Sequence, residues 1–145
     1  LADWSGHDEH WMPDSLRSVV SQIAGGDNKN GALLSNYVAK YCADMSLHFS
    51  SLGSILNPGA EVHYIVGNST FYGVLVPTEE VSAAMLRHYG FKDVAVRAIR
   101  KRNSKKELIE FDVTGIWPAQ SRIRPVRSRS SPKAKGTPKM ATSRA

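Results

Sequence analysis

The sequence predicts an α/β fold with the order helix, strand, helix, antiparallel hairpin. Three observations carry that prediction. Apolar residues recur at spacings of three and four across residues 34–56, the period of a helix with one buried face. The uncharged run at residues 62–66 is too short for a helix and breaks into Gly67-Asn68-Ser69-Thr70, as a buried strand does at its end. Two alternating segments, residues 94–99 and 109–114, flank a polar basic stretch, the pattern of two antiparallel strands and their turn.

Length and composition bound the possibilities. A chain of 145 residues with 41% apolar and 22% charged residues suits one globular domain with an ordinary core. The net charge of +6 is unevenly spread. Eight of the nineteen Lys and Arg lie from residue 116 onward, where no acid occurs, so residues 1–115 hold eleven bases against thirteen acids. The body is mildly acidic and the tail supplies the excess. Cys42 is the only cysteine, which rules out an internal disulfide framework, and its apolar helical setting predicts a buried, inert thiol. No run approaches the ~18 apolar residues that span a bilayer, and no signal peptide is visible, so a cytoplasmic setting without membrane contact is expected. The first residue is Leu rather than Met, as expected of a fragment or a processed chain.

Residues 1–29 read as a connector and a short helix. His7, Asp8, Glu9 and His10 lack the i, i+4 spacing that sets two imidazoles on one helix face, so no metal site is expected there. Asp14 or Ser15 is placed to cap a helix over Leu16, Val19, Val20 and Ile23. The Gly-rich residues 25–31 form a loop. The main helix follows, with Leu34, Tyr37, Val38, Tyr41, Met45, Phe49, Leu52 and Leu56 expected as core and Asn57-Pro58-Gly59 as its end. The strand at residues 62–66 is apolar on both faces and predicts a central strand covered on both sides. Thr78 is a candidate N-cap with Glu79 and Glu80 in the first turn, and Gly90-Phe91 is a left-handed stop with a hydrophobic contact behind it. From Trp117 onward apolar periodicity vanishes, so residues 116–145 are expected to be a disordered basic tail.

The carboxyl ends of strands in open α/β sheets are where ligands bind, which makes residues 61–78 the place to look for a site. Gly67 permits a sharp turn, and Asn68, Ser69 and Thr70 offer short hydrogen-bonding groups, although such groups also serve simply to satisfy a turn's backbone. Residues 100–106 hold five cations, Arg100, Lys101, Arg102, Lys105 and Lys106, either a phosphate-attracting cluster or a solvated hairpin tip.

The ordered series Tyr64-Ile65-Val66-Gly67-Asn68-Ser69-Thr70-Phe71-Tyr72-Gly73, Val76-Pro77-Thr78, Gly90-Phe91, Ile99-Arg100-Lys101-Arg102 and the strand at 108–113 resembles the C-terminal half of a class I S-adenosylmethionine-dependent methyltransferase. The specific similarity is to DNA methyltransferases acting on exocyclic amino groups, the cytosine-N4 and adenine-N6 type, and covers residues 30–115. It implies part of a Rossmann-like seven-stranded sheet whose last strand inserts antiparallel beside the fifth. It also implies S-adenosylmethionine as cofactor, DNA as partner, and Gly67, Asn68, Ser69, Thr70 and Phe71, with Tyr72, at a target-base pocket. The family's Gly-rich donor loop and its Pro-Pro-Tyr/Phe motif are absent, since no Pro-Pro occurs and no Gly-x-Gly follows a strand. Methyl transfer needs donor and acceptor nitrogen held in line, a task of those two loops. The chain is therefore expected to be inactive alone and to need an N-terminal half or a partner chain. Two other readings stay open: a non-catalytic nucleic-acid-binding module using residues 100–106 and the tail, and a fragment of an RNA methyltransferase.

Overall fold

A computed structural model describes residues 11–102 and 108–119 of the chain. The run from His7 to His10, Lys105, Lys106 and the tail from residue 120 lie outside the described residues. The fold is mixed α/β, with three helices, a three-stranded antiparallel sheet against which the last helix packs, and a small second hairpin that the first helix meets.

Helices α1 (Asp14–Ala24) and α2 (Gly31–Leu52) pack together, with Leu16 and Ile23 of α1 fully inside the core. The short helix expected in the connector is therefore part of the body. Its N-cap is Pro13, and neither Asp14 nor Ser15 makes a side-chain cap bond. In α2 the buried face is Ser35, Val38, Ala39, Cys42, Ala43, Ser46, Phe49 and Leu52. Of the expected stripe Val38, Phe49 and Leu52 are buried and Leu34, Met45 and Leu56 pack against the core, while Tyr37 and Tyr41 stand out at 54% and 42% exposure. The helix also ends at Leu52 with Gly53 as its C-cap, ahead of Asn57-Pro58-Gly59, and the Trp117 ring sits where a side chain at Gly53 would go.

Strand β1 (Glu61–Gly67) pairs antiparallel with β5 (Ile109–Ile116), which pairs antiparallel on its other side with β4 (Lys92–Lys101). The order β1-β5-β4 leaves β1 and β4 parallel to each other with the last strand between them. The central, doubly covered position expected for residues 62–66 is not observed. Val62, Tyr64 and Val66 turn toward the helices, while Glu61, His63 and Ile65 are exposed on the opposite face and β1 lies at the sheet edge. Alternation, rather than the absence of charge, describes this strand.

After β1 the chain forms a hairpin of two three-residue strands, β2 (Ser69–Phe71) and β3 (Val74–Val76). Tyr72 and Gly73 both have positive φ, 50° and 80°, the backbone of a two-residue turn whose twist matches its strands. Helix α3 (Thr78–His88) begins after Pro77, its N-cap, and Thr78 makes no cap bond. Its end is as expected. Gly90 has φ +97°, the Phe91 N–H reaches back to Leu86 O at 3.0 Å, and Phe91 is buried behind the turn. Trp117, expected in the tail, stacks edge-on to Phe91 at 5.0 Å and exchanges backbone hydrogen bonds with Gly59 and Ala60. The packed body therefore extends to Trp117.

Candidate functional site

A cleft of about 150 Å³ opens at the carboxyl end of β1, between α2 and the β2–β3 hairpin. Tyr37, Val38 and Tyr41 of α2 form one wall, and Gly67, Ser69 and Phe71 form the other. Val76 and Thr78 close the floor where β3 passes into α3. The hairpin explains which expected residues meet. Gly67, Ser69 and Phe71 line the cleft, the latter two alternating along β2 with Thr70, whereas Asn68 and Thr70 do not line it.

Asn68 is 4% exposed and serves the backbone. Its side-chain Oδ1 accepts from the Ile109 N–H at 2.9 Å, and its own N–H donates to Ile109 O at 3.3 Å. It extends the β1·β5 pairing one residue past Gly67. Thr70 pairs with Leu75 within the hairpin. Arg102 lies beside the end of β1 but is not among the residues that line the cleft. Its Nη1 lies 3.1 Å from where a Cβ on Gly67 would stand, and donates weakly to Asn68 O at 3.4 Å.

The other expected phosphate contacts are less available. Arg100 donates to Glu110 through Nε at 2.6 Å, a hydrogen bond that raises the guanidinium pKa and lowers that of the carboxyl. Lys101 is exposed at the end of β4. On the outer sheet face Asp112, 5% exposed, meets His63 Nδ1 at 3.1 Å and Arg97 Nη2 at 3.4 Å. No cluster of three metal-ligating residues occurs among the described residues.

Tyr37 and Tyr41 are the site residues that the sequence did not single out, having been absorbed into the expected core stripe. Burial raises the Tyr41 hydroxyl above its ordinary pKa, so it remains a neutral donor. The signal was their spacing, i and i+4 on one helix face, together with the small residues on the adjacent face.

The cleft does not fit S-adenosylmethionine. Its volume is half or less of the ~300–1,000 Å³ typical of sites for drug-sized ligands. None of its lining residues is an acid that could pair with an ammonium or a ribose. What it offers is a small slot lined by Phe71 and by four hydroxyl-bearing residues, Tyr37, Tyr41, Ser69 and Thr78. No family model matches the chain, and no curated protein or solved structure matches it.

Proposed function

We propose that this chain is the C-terminal portion of an S-adenosylmethionine-dependent DNA methyltransferase that modifies an exocyclic base amino group. The observation that carries the reading is the sheet order β1-β5-β4, with the last strand antiparallel between two mutually parallel strands, as the resemblance implies for a Rossmann-like methyltransferase sheet. The cleft at the carboxyl end of β1 supports it further, since that end is where open α/β sheets place ligands. In this reading the chain supplies the wall against which the acceptor base rests. Binding of the methyl donor falls to residues outside the chain, because the cleft fits only a smaller group.

A purely electrostatic nucleic-acid module is less well supported, because Arg100 of its basic loop is held by Glu110 rather than left for phosphates. An RNA substrate is separated from DNA by assay. The test combines this chain with the polypeptide carrying the Gly-rich loop and Pro-Pro-Tyr motif, fused upstream or added as a partner, and follows labelled methyl groups into DNA and RNA. The isolated 145-residue chain is expected to transfer nothing and the assembled form to label DNA. Transfer by the chain alone, or none by the assembly, overturns the reading.

A further inference from the structure

We infer that the open edge of β1 takes the β1 strand of a second copy of this chain, antiparallel about a two-fold axis at Tyr64, so that Glu61 of each copy meets Arg102 of the other. The inference goes beyond the methyltransferase reading and does not depend on it.

The backbone is the first argument. The Trp117 N–H donates to Ala60 O at 2.8 Å and the Asn68 N–H to Ile109 O at 3.3 Å, so the even-numbered residues of this stretch turn their peptide groups toward β5. Alternation sends the N–H and C=O of Glu61, His63, Ile65 and Gly67 to the other side, where no strand pairs with β1 among the described residues. A row of open donors and acceptors on a strand with no Pro and no Lys is a template for another strand.

The register is the second. Outward residues of one strand form hydrogen-bonded pairs with outward residues of the next, and a two-fold at Tyr64 uses all four on each copy. Glu61 then faces the partner's Gly67, and His63 faces the partner's Ile65. Moving the axis by one residue leaves Gly67 or Glu61 with no β1 residue opposite. On the inner face Val62 meets the partner's Val66 and the two Tyr64 rings meet each other, all of them residues of the apolar core or packed against it. On the outer face Ile65, 61% exposed in one copy, is covered by the partner's His63.

Charge is the third. An added Cβ on Gly67 would lie 3.1 Å from Arg102 Nη1, so the guanidinium stands beside the last residue of β1. It donates to Asn68 O at only 3.4 Å and lies within electrostatic reach of Glu110, and its five N–H donors can serve a further acceptor as well. Glu61 stands at the other end of the strand with a largely exposed carboxylate, 3.4 Å from the His63 ring. Antiparallel pairing about Tyr64 sets that carboxylate across from the partner's Gly67 and hence beside the partner's Arg102, twice in the symmetric dimer.

Amide hydrogen exchange, read residue by residue at low and high protein concentration, tests the pairing without any variant. Protection of the Glu61, His63, Ile65 and Gly67 amides should rise with concentration by more than that of Val62, Tyr64 and Val66. Glu61→Arg or Arg102→Glu alone should weaken dimerisation about 2- to 30-fold, the range for two exposed ion pairs, and the two together should restore it. Tyr64→Cys should form a disulfide-linked dimer under mild oxidation, because facing residues on the axis lie about 4.5 Å apart at Cα and Cys42 is buried. A chain that stays monomeric, a dimer whose four outward amides gain no protection, or charge reversals that the double variant does not rescue would overturn the inference. Protection of those amides only after the donor-binding polypeptide is added would overturn it too, giving the edge to that polypeptide and leaving the methyltransferase reading in place. The dimer as described, with no methyl transfer by the assembly, would do the reverse.

Discussion

The Asn68 carboxamide accepts from the Ile109 N–H at 2.9 Å while the Asn68 N–H donates to Ile109 O, so one residue ties the end of β1 to the start of β5. Asn68→Ala strips a partly buried N–H of its acceptor. Leaving such a donor unsatisfied costs about 1–3 kcal/mol. The urea midpoint should fall accordingly with an unchanged m-value; an unmoved midpoint would show that the carboxamide is not structural. Glu79 poses the opposite problem. It is 7% exposed in the first turn of α3, and its Oε2 has no partner among the described residues. Burial pushes its carboxyl above the ordinary value of 4.5, its own backbone N–H offsets part of that, and Glu80 adds to the rise. A raised folded-state pKa means the folded state holds the proton more tightly than the unfolded one. The associated stability is therefore present below the unfolded pKa and declines as pH rises from about 4.5 through the folded value. Glu79→Gln should flatten this decline in a series of urea melts from pH 4 to pH 8. The same slope in both proteins would rule out Glu79 as its source.

Two glycines show how elements constrain each other differently. At Gly53, which ends α2, an added Cβ would lie 2.5 Å from the Trp117 ring, and that ring is wedged against Phe91 and tied through its backbone to Gly59 and Ala60. At Gly67, ending β1, it would meet only Arg102 Nη1 at 3.1 Å, the far end of a flexible side chain. Gly53→Ala should therefore cost about 1–3 kcal/mol by overpacking, whereas Gly67→Ala should stay within about 0.5 kcal/mol while displacing Arg102. Chemical denaturation of both variants checks the pair, and equal costs would contradict the packing assigned to Trp117. The same element junctions explain what was legible beforehand. The end of α3 was readable because Gly90 and Phe91 act through local backbone chemistry. The face of α2 was legible at Val38, Phe49 and Leu52 but not at Tyr37 and Tyr41, because the smaller Ala39, Ala43 and Ser46 are buried and the two larger rings stay outside. The β2–β3 hairpin was missed since its strands are three residues long and its turn is Tyr-Gly rather than Asn-Gly. That Gly67 and Ser69 lie by a cleft follows from the strand end, and Phe71 enters only through the family resemblance. Separating them from Asn68 and Thr70 needed the extended geometry of that unseen hairpin.

At the scale of the whole molecule the two edges of the three-stranded sheet are unequal. The outer strand β4 is ten residues long, carries Lys92, Arg97, Arg100 and Lys101, and bulges around Asp93 at φ 51°. Charge and irregularity of this kind keep one sheet edge from pairing with another. On the opposite edge, β1 has seven regular residues, one carboxylate at its start, no Lys and no Pro, with Ile65 61% exposed. Among the described residues no strand pairs with that side of β1. An unguarded edge beside an open apolar side chain templates association, with another strand or with a second copy of the chain. Sedimentation velocity over a range of concentrations should therefore show the isolated chain associating. Ile65→Lys, which places a charge on the unguarded strand, should shift it toward monomer at an unchanged urea midpoint. Ile99→Lys, at 47% exposure on the guarded strand, should leave association as it was. A chain that sediments as a monomer throughout, or an equal effect of both substitutions, would sink the argument that the β1 edge is where this fold expects a neighbour.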